Sequence, residues 1–160
     1  LTWQHAIREL NAVDDGFKVG ILVCVSPTSP LRNVEDIDAC IEVLQNCDAD
    51  LVISIRNAER NPYYNMVILD DQGYADLVVP GPDKLHRRQD APTVYDITTV
   101  AYAARPEFVL RADWMFEGKV KAVNVPSERA LDIDTEMDFT FAEFLMTRSA
   151  AQDQDQPNGR

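Results

Sequence analysis

Apolar residues recur at Trp3, Ile7 and Leu10, a spacing that predicts one helical face over residues 2–12. Asp14-Asp15-Gly16 breaks that pattern. Lys18–Val25, KVGILVCV, is then a continuous apolar run. Such a run predicts a strand buried on both faces, as in the parallel sheet of an α/β protein. Pro27 and Pro30 end it, and Asn33 is a good N-cap for the next element, with Asp36 in its first turn. Val34, Ile37, Ile41 and Leu44 line one helical face to about residue 46. LVISI, residues 51–55, is the next strand. Strand, helix and strand in this order predict a βαβ unit with a right-handed crossover.

The middle of the chain changes character. Residues 63–69 and 74–79 are short and strand-like, joined by Asp70-Asp71-Gln72-Gly73, which reads as a hairpin turn. Residues 80–93 form a loop rich in proline and charge, and residues 94–103 return as a strand. A short helix is expected over residues 106–111 and an alternating strand over 119–125. A final helix over 135–147 places Met137, Phe141 and Leu145 on one face. The expected organisation is a single α/β domain over residues 1–149, containing a hairpin region at about 60–103. The polar tail over residues 150–160 is expected to be disordered.

Charge narrows the function classes. The net charge of the 160 residues is −12, with acids spread along the chain. Nucleic-acid binding rests on clustered Lys and Arg, so nucleic acid is excluded as the expected partner. An anionic nucleotide would need local cations or a metal ion, which draws attention to His86-Arg87-Arg88. No run approaches the roughly 20 apolar residues of a membrane span, and the N-terminus lacks a signal-peptide pattern, so no membrane is expected. Three cysteines without a CxxC spacing fit a reduced, cytoplasmic protein with buried structural thiols. No glycine-rich phosphate loop is present among the six glycines.

Three stretches can carry chemistry. Ser26-Pro27-Thr28-Ser29-Pro30-Leu31-Arg32 follows the first strand and precedes a helix. In open α/β sheets ligands bind beyond the C-terminal strand ends, where hydroxyls, free N–H groups and Arg32 can meet a sugar or phosphate. A proline-stiffened turn whose hydroxyls cap the next helix is the plainer account. Arg87-Arg88-Gln89-Asp90, followed by Pro92 and Tyr95, offers cations to an anion or is a solvated loop. In ERALDIDTEMDF, alternation along an extended chain sends Asp132 and Asp134 to one side, between Leu131 and Ile133 on the other. Two carboxylates on one side repel unless a cation lies between them, and Mg²⁺ takes one or two carboxylates plus substrate phosphates. Helix capping by Asp134 or Thr135 is the alternative.

The order and spacing of these stretches resemble the acylneuraminate cytidylyltransferase family, the CMP-sialic acid and CMP-nonulosonate synthetases. The shared features are PTSPLR at 27–32, Arg88-Gln89-Asp90 before Pro92 and Tyr95, and Asp132 to Glu136 followed by Asp138, over about residues 19–146. The resemblance implies a Rossmann-like nucleotidyltransferase sheet, mixed and mostly parallel, flanked by helices and carrying a β-hairpin dimerisation insertion. It implies transfer of CMP from CTP to a sialic-acid-like sugar with release of pyrophosphate, by a homodimer using Mg²⁺, or Mn²⁺ in its place. Asp132 and Asp134 map onto the metal-binding, catalytic acids. Ser26, Pro27, Thr28, Ser29, Arg32, Arg88, Gln89, Tyr95 and Asp96 map onto the substrate-binding positions, and Arg88 onto a residue reaching the partner's active site.

The sequence departs from the family at several points. The Ala-Arg-x-Gly-Ser-Lys type of phosphate motif lies upstream of the matched region and is not found here. The expectation is an N-terminally truncated fold whose activity is impaired in this chain alone. Ser26 stands where the family often has Gln, Asp96-Ile97-Thr98-Thr99 where an Arg-x-Asn-Gly often follows the aromatic, and Tyr63-Tyr64 where a basic residue is expected. These changes imply an altered sugar pocket. The other readings are an inactive homologue acting as a binding or dimerisation module, and a glycosyltransferase with its own Asp-x-Asp; PTSPLR counts against the latter.

Overall fold

The computed structural model describes residues 2–13, 16, 18–80 and 87–154, with side chains to residue 148. Two compact units emerge: Leu1–Arg56 with Ile97–Arg160, and Asn57–Asp96.

The first unit is built on a four-stranded sheet. Its strands are β1 (Leu22–Cys24), β2 (Leu51–Asn57), β5 (Tyr95–Ala104) and β6 (Val120–Asn124), in the order β1-β5-β2-β6. β1 runs antiparallel to β5, with Cys24 opposite Tyr102, and β2 runs parallel to β6, with Ile55 opposite Asn124. The sheet is therefore mixed, as expected, and one of these two ladders is parallel. The expected βαβ unit differs in one respect: β5 lies between its two strands. β1 is accordingly an edge strand and only half-buried, not covered on both faces, and it spans Leu22–Cys24 alone.

Alternation along β2 sorts the core onto two faces. Leu51 and Ile53 pack with Ile7 of α1 (Thr2–Val13) and with Phe108 and Val109 of α3 (Pro106–Arg111). Val52 packs with Cys40 and Leu44 of α2 (Val34–Gln45), and with Val100 and Val125. The next residue on that second face, Ser54, is polar and fully buried. Its hydroxyl accepts from the Thr98 hydroxyl (2.7 Å) and the Ala101 N–H (3.1 Å) and donates to the Thr98 carbonyl (3.2 Å). Every polar atom there is paired, so the burial carries no unsatisfied cost.

The last helix, α4 (Glu136–Gln154), seats differently from its expected face. Ala142 is buried and Leu145 half-buried, whereas Met137 is 81% exposed and Phe141 is exposed. Phe139, Phe144 and Met146 are exposed as well, so apolar residues stand on several faces and periodicity alone cannot pick the seated one. The helix also runs past the expected boundary at residue 150, because Ala150, Ala151 and Gln152 are good helix formers. Residues 155–160 of the expected tail lie outside the described residues, as do Asp14, Asp15 and His86.

The second unit is organised by the hairpin of β3 (Val67–Leu69) and β4 (Ala75–Leu77), antiparallel with Val67 opposite Leu77. Asp70 makes the turn: its Oδ1 accepts the N–H groups of Gln72 and Tyr74, each at 2.9 Å. Gly73 takes the left-handed conformation at φ +86°, which a side chain would strain. Elsewhere in this unit, the buried Asn61 donates to the Pro92 carbonyl at 2.9 Å and accepts from the Tyr63 N–H.

Candidate functional site

The sheet topology brings the PTSPLR loop and the Asp-Ile-Asp segment together in the first unit. The Ile133 N–H, between the two aspartates, donates to the Thr28 carbonyl at 2.9 Å. The loop is braced from within. Arg32 folds back and donates through Nη1 to the carbonyls of Ser26 and Ser29, the latter at 2.7 Å. The hydroxyls of Ser26 and Thr28 share a 2.6 Å hydrogen bond, and the Ser26 N–H reaches the Thr99 carbonyl. Two expected substrate contacts therefore have other occupations. Ser29 is fully buried, with its hydroxyl 2.6 Å from that of Thr99. Arg32 gives its Nη1 group to the loop's own carbonyls, which fixes the loop's shape. Pro27 is exposed at the tip.

A second brace ties the same region to α2. Arg129 grips the buried Asp36 through two parallel bonds, Nε to Oδ2 at 2.9 Å and Nη2 to Oδ1 at 2.7 Å. Asp36 also accepts the Asn33 N–H at 2.9 Å, capping α2. The Arg129 hydrogen bond holds the Asp36 carboxyl below the ordinary range, against the opposing pull of burial.

Asp132 and Asp134 open into one cavity of about 370 Å³, walled also by Arg56, Ile97, Thr98, Ala130, Leu131 and Asp138. Asp132 Oδ1 is buried and accepts no hydrogen bond. Asp138 is turned to another task. Its Oδ2 accepts from the N–H and hydroxyl of Thr135, each at 2.8 Å, while the Asp138 N–H donates to Thr135 Oγ1 at 3.2 Å. This reciprocal cap starts α4, and the Thr135 hydroxyl holds the Asp138 carboxyl below its ordinary pKa. The capping expected of Asp134 or Thr135 thus falls to Thr135, and Asp134 is left facing the cavity.

The second unit holds another set. Arg88 and Gln89 begin a short 3₁₀ turn and line a cavity of about 480 Å³ with Asn57, Ala58, Asn61, Ala91, Pro92, Thr93 and Val94. Arg88 Nη2 donates to the Glu59 carbonyl at 2.9 Å, and Arg87 pairs with Asp90 at 3.1 Å. Tyr95, which is exposed, and Asp96 start β5 and do not line this cavity.

No family model matches the chain. It is 35% identical over 118 residues to an N-acylneuraminate cytidylyltransferase of Streptococcus agalactiae, covering 73% of this chain and 28% of that protein. It is 28% identical over 134 residues to post-translational flagellin modification protein B of Campylobacter coli, covering 84% and 56%. It is 28% identical over 139 residues to a CMP-N,N'-diacetyllegionaminic acid synthase of Campylobacter jejuni, covering 73% and 58%. These relatives support the CMP-nonulosonate synthetase family over the part of their length that the chain matches. The chain spans between 28% and 58% of the length of these curated relatives. The fold agrees: a 4-diphosphocytidyl-2C-methyl-D-erythritol synthase from Anaerococcus prevotii superposes at a TM-score of 0.60 and 19% identity, over 89% of this chain and 64% of that one.

Within this CMP-nonulosonate synthetase relative, the donor set fits a hard divalent cation of one kind. Among the described residues no three or more carboxylate, imidazole or thiol groups gather as an all-protein cage. An unpartnered buried carboxylate oxygen beside a second carboxylate suits Mg²⁺, which keeps waters and takes its other oxygens from phosphates. Sequence reasoning missed Arg56 and Thr98 on this cavity's wall. The signal was available for Arg56: it is the charged residue ending the buried run LVISI, at a strand end where α/β folds place ligands.

Proposed function

We propose that the chain serves transfer of CMP from CTP to the anomeric hydroxyl of a nonulosonic acid, with release of pyrophosphate. The observation that carries this reading is the Ile133-to-Thr28 hydrogen bond, which sets the PTSPLR loop beside a pair of aspartates sharing one cavity. Asp132 and Asp134 hold Mg²⁺, or Mn²⁺ in its place. Bound there, the ion neutralises charge on the reacting phosphates. Asp132 keeps a lone pair unused by the protein, and Arg129 and Arg32 hold the flanking segments in register. Ser26, Thr28, Arg88, Gln89, Tyr95 and Asp96 are the substrate contacts this reading assigns.

The active form is a homodimer built through the hairpin, where Met66, Val67, Ile68, Leu69 and Tyr74 are all exposed. The cysteines are free, which suits the cytoplasm, and no described helix is long and apolar enough to cross a membrane. Pyrophosphate release with CTP, Mg²⁺ and a panel of nonulosonic acids tests the reading. Sugar-dependent release supports it. Binding of CTP and sugar without release would leave the alternative, a binding or dimerisation module.

A further inference from the structure

We propose that Arg56 determines specificity for the acceptor, by taking the carboxylate of an acidic sugar inside the Asp132–Asp134 cavity; this rests on the transferase reading above. The lining residues sort themselves by what they have left to offer. Ile97, Ala130 and Leu131 are apolar. The Thr98 hydroxyl is buried and given to Ser54 at 2.7 Å. Asp138 is committed to the cap of α4 through Thr135. Asp132 and Asp134 are the carboxylates that remain for a cation.

Charge then decides the role of each. Three carboxylates line the cavity, so an acid sugar entering it meets repulsion unless a cation receives its carboxylate. Arg56 is the one cation among the described lining residues. Its planar guanidinium matches a carboxylate in a two-bonded fork, a geometry that an ammonium does not reproduce. Arg56 has an interaction within the protein as well, and a guanidinium with five N–H donors can serve a second partner. Arg56 also stands on a rigid base. The preceding residue, Ile55, accepts the Val125 N–H at 2.8 Å, and β2 is laddered to β6 up to that point. A cation on a strand end is held to a narrower range of positions than one on a loop. The metal-binding carboxylates and the guanidinium thus divide one cavity between phosphate and sugar acid.

A nucleotide phosphate could use the same guanidinium, and the experiment separates the two anions. N-acetylneuraminic acid and its carboxyl methyl ester are titrated calorimetrically into the full chain, with Mg²⁺ and a non-hydrolysable CTP analogue present. The unaltered chain should bind the acid about 10- to 100-fold more tightly than the ester. Arg56→Gln should erase that preference, and Arg56→Lys should retain part of it, while affinity for the CTP analogue stays within about twofold in both. An acid-over-ester preference that persists in Arg56→Gln overturns the proposal, as does a loss confined to the CTP analogue. Failure of the unaltered chain to bind the acid at all overturns this proposal and the transferase reading together. Equal binding of acid and ester by the unaltered chain overturns only the role of Arg56.

Discussion

Asp132 and Asp36 show how differently two partly or fully enclosed carboxylates can be used. Asp36 is satisfied on both oxygens, whereas Asp132 keeps one oxygen without a partner. Asp132→Asn should therefore be tolerated by the fold, with a melting temperature close to that of the unaltered chain. Sugar-dependent pyrophosphate release should fall about 100-fold, and Mg²⁺ binding by calorimetry should weaken in parallel. Asp36→Asn should do the reverse and cost about 2–3 kcal/mol in urea unfolding at neutral pH, because it strips a charge from a paired, mostly buried site. A carboxyl whose folded pKa is depressed contributes stability above its unfolded pKa and loses it as pH falls through the folded value. Stability should thus decline below about pH 4, and Asp36→Asn should flatten that decline. The pairing of Asp36 with Arg129 was not legible in the sequence. Asp36 reads there as a helix-capping acid, and only the returning chain after β6 supplies its cation.

At the scale of elements, local pattern identified most of the helices and strands, because the spacing of Ile7 or the alternation of Leu51 to Ile55 is set by the geometry of each element. What pattern could not supply was neighbourhood. β1 reads as an interior strand since its residues are apolar, yet among the described residues its only ladder is with β5. α4 carries apolar residues all round, so the seated face depends on the small side chain of Ala142 fitting the body of the unit. The turn into β6 shows a similar dependence on size. A Cβ on Gly118 would come within 2.5 Å of a Phe108 ring atom and 2.9 Å of an Asp50 carboxylate oxygen. Gly118→Ala should destabilise the chain by about 1–3 kcal/mol, lowering the melting temperature by several degrees. An unchanged melting temperature would mean that Phe108 can swing aside freely.

At the scale of the whole molecule, each unit leaves apolar surface uncovered in a different way. On the hairpin the residues facing out include Val67, Ile68 and Leu69, with Ile68 57% exposed. An exposed apolar patch of this kind is the ordinary material of an interface. If the proposed dimer forms through this patch, Ile68→Glu should leave a monomer by light scattering with unchanged circular dichroism; a dimer that survives this change would place the interface elsewhere. With a net charge of −12, the anionic substrates proposed above would need local cations, such as Arg56 and Arg88.

The clasp between Asp36 and Arg129 closes an interval of 93 residues. Closing so long an interval early would cost conformational entropy before other contacts reward it. During refolding, α2 can form and be capped by Asp36 alone, but the cavity has no shape until the chain beyond β6 returns to that helix. Helical signal should therefore recover before ligand binding does, and the interval between the two measures how late this site is assembled.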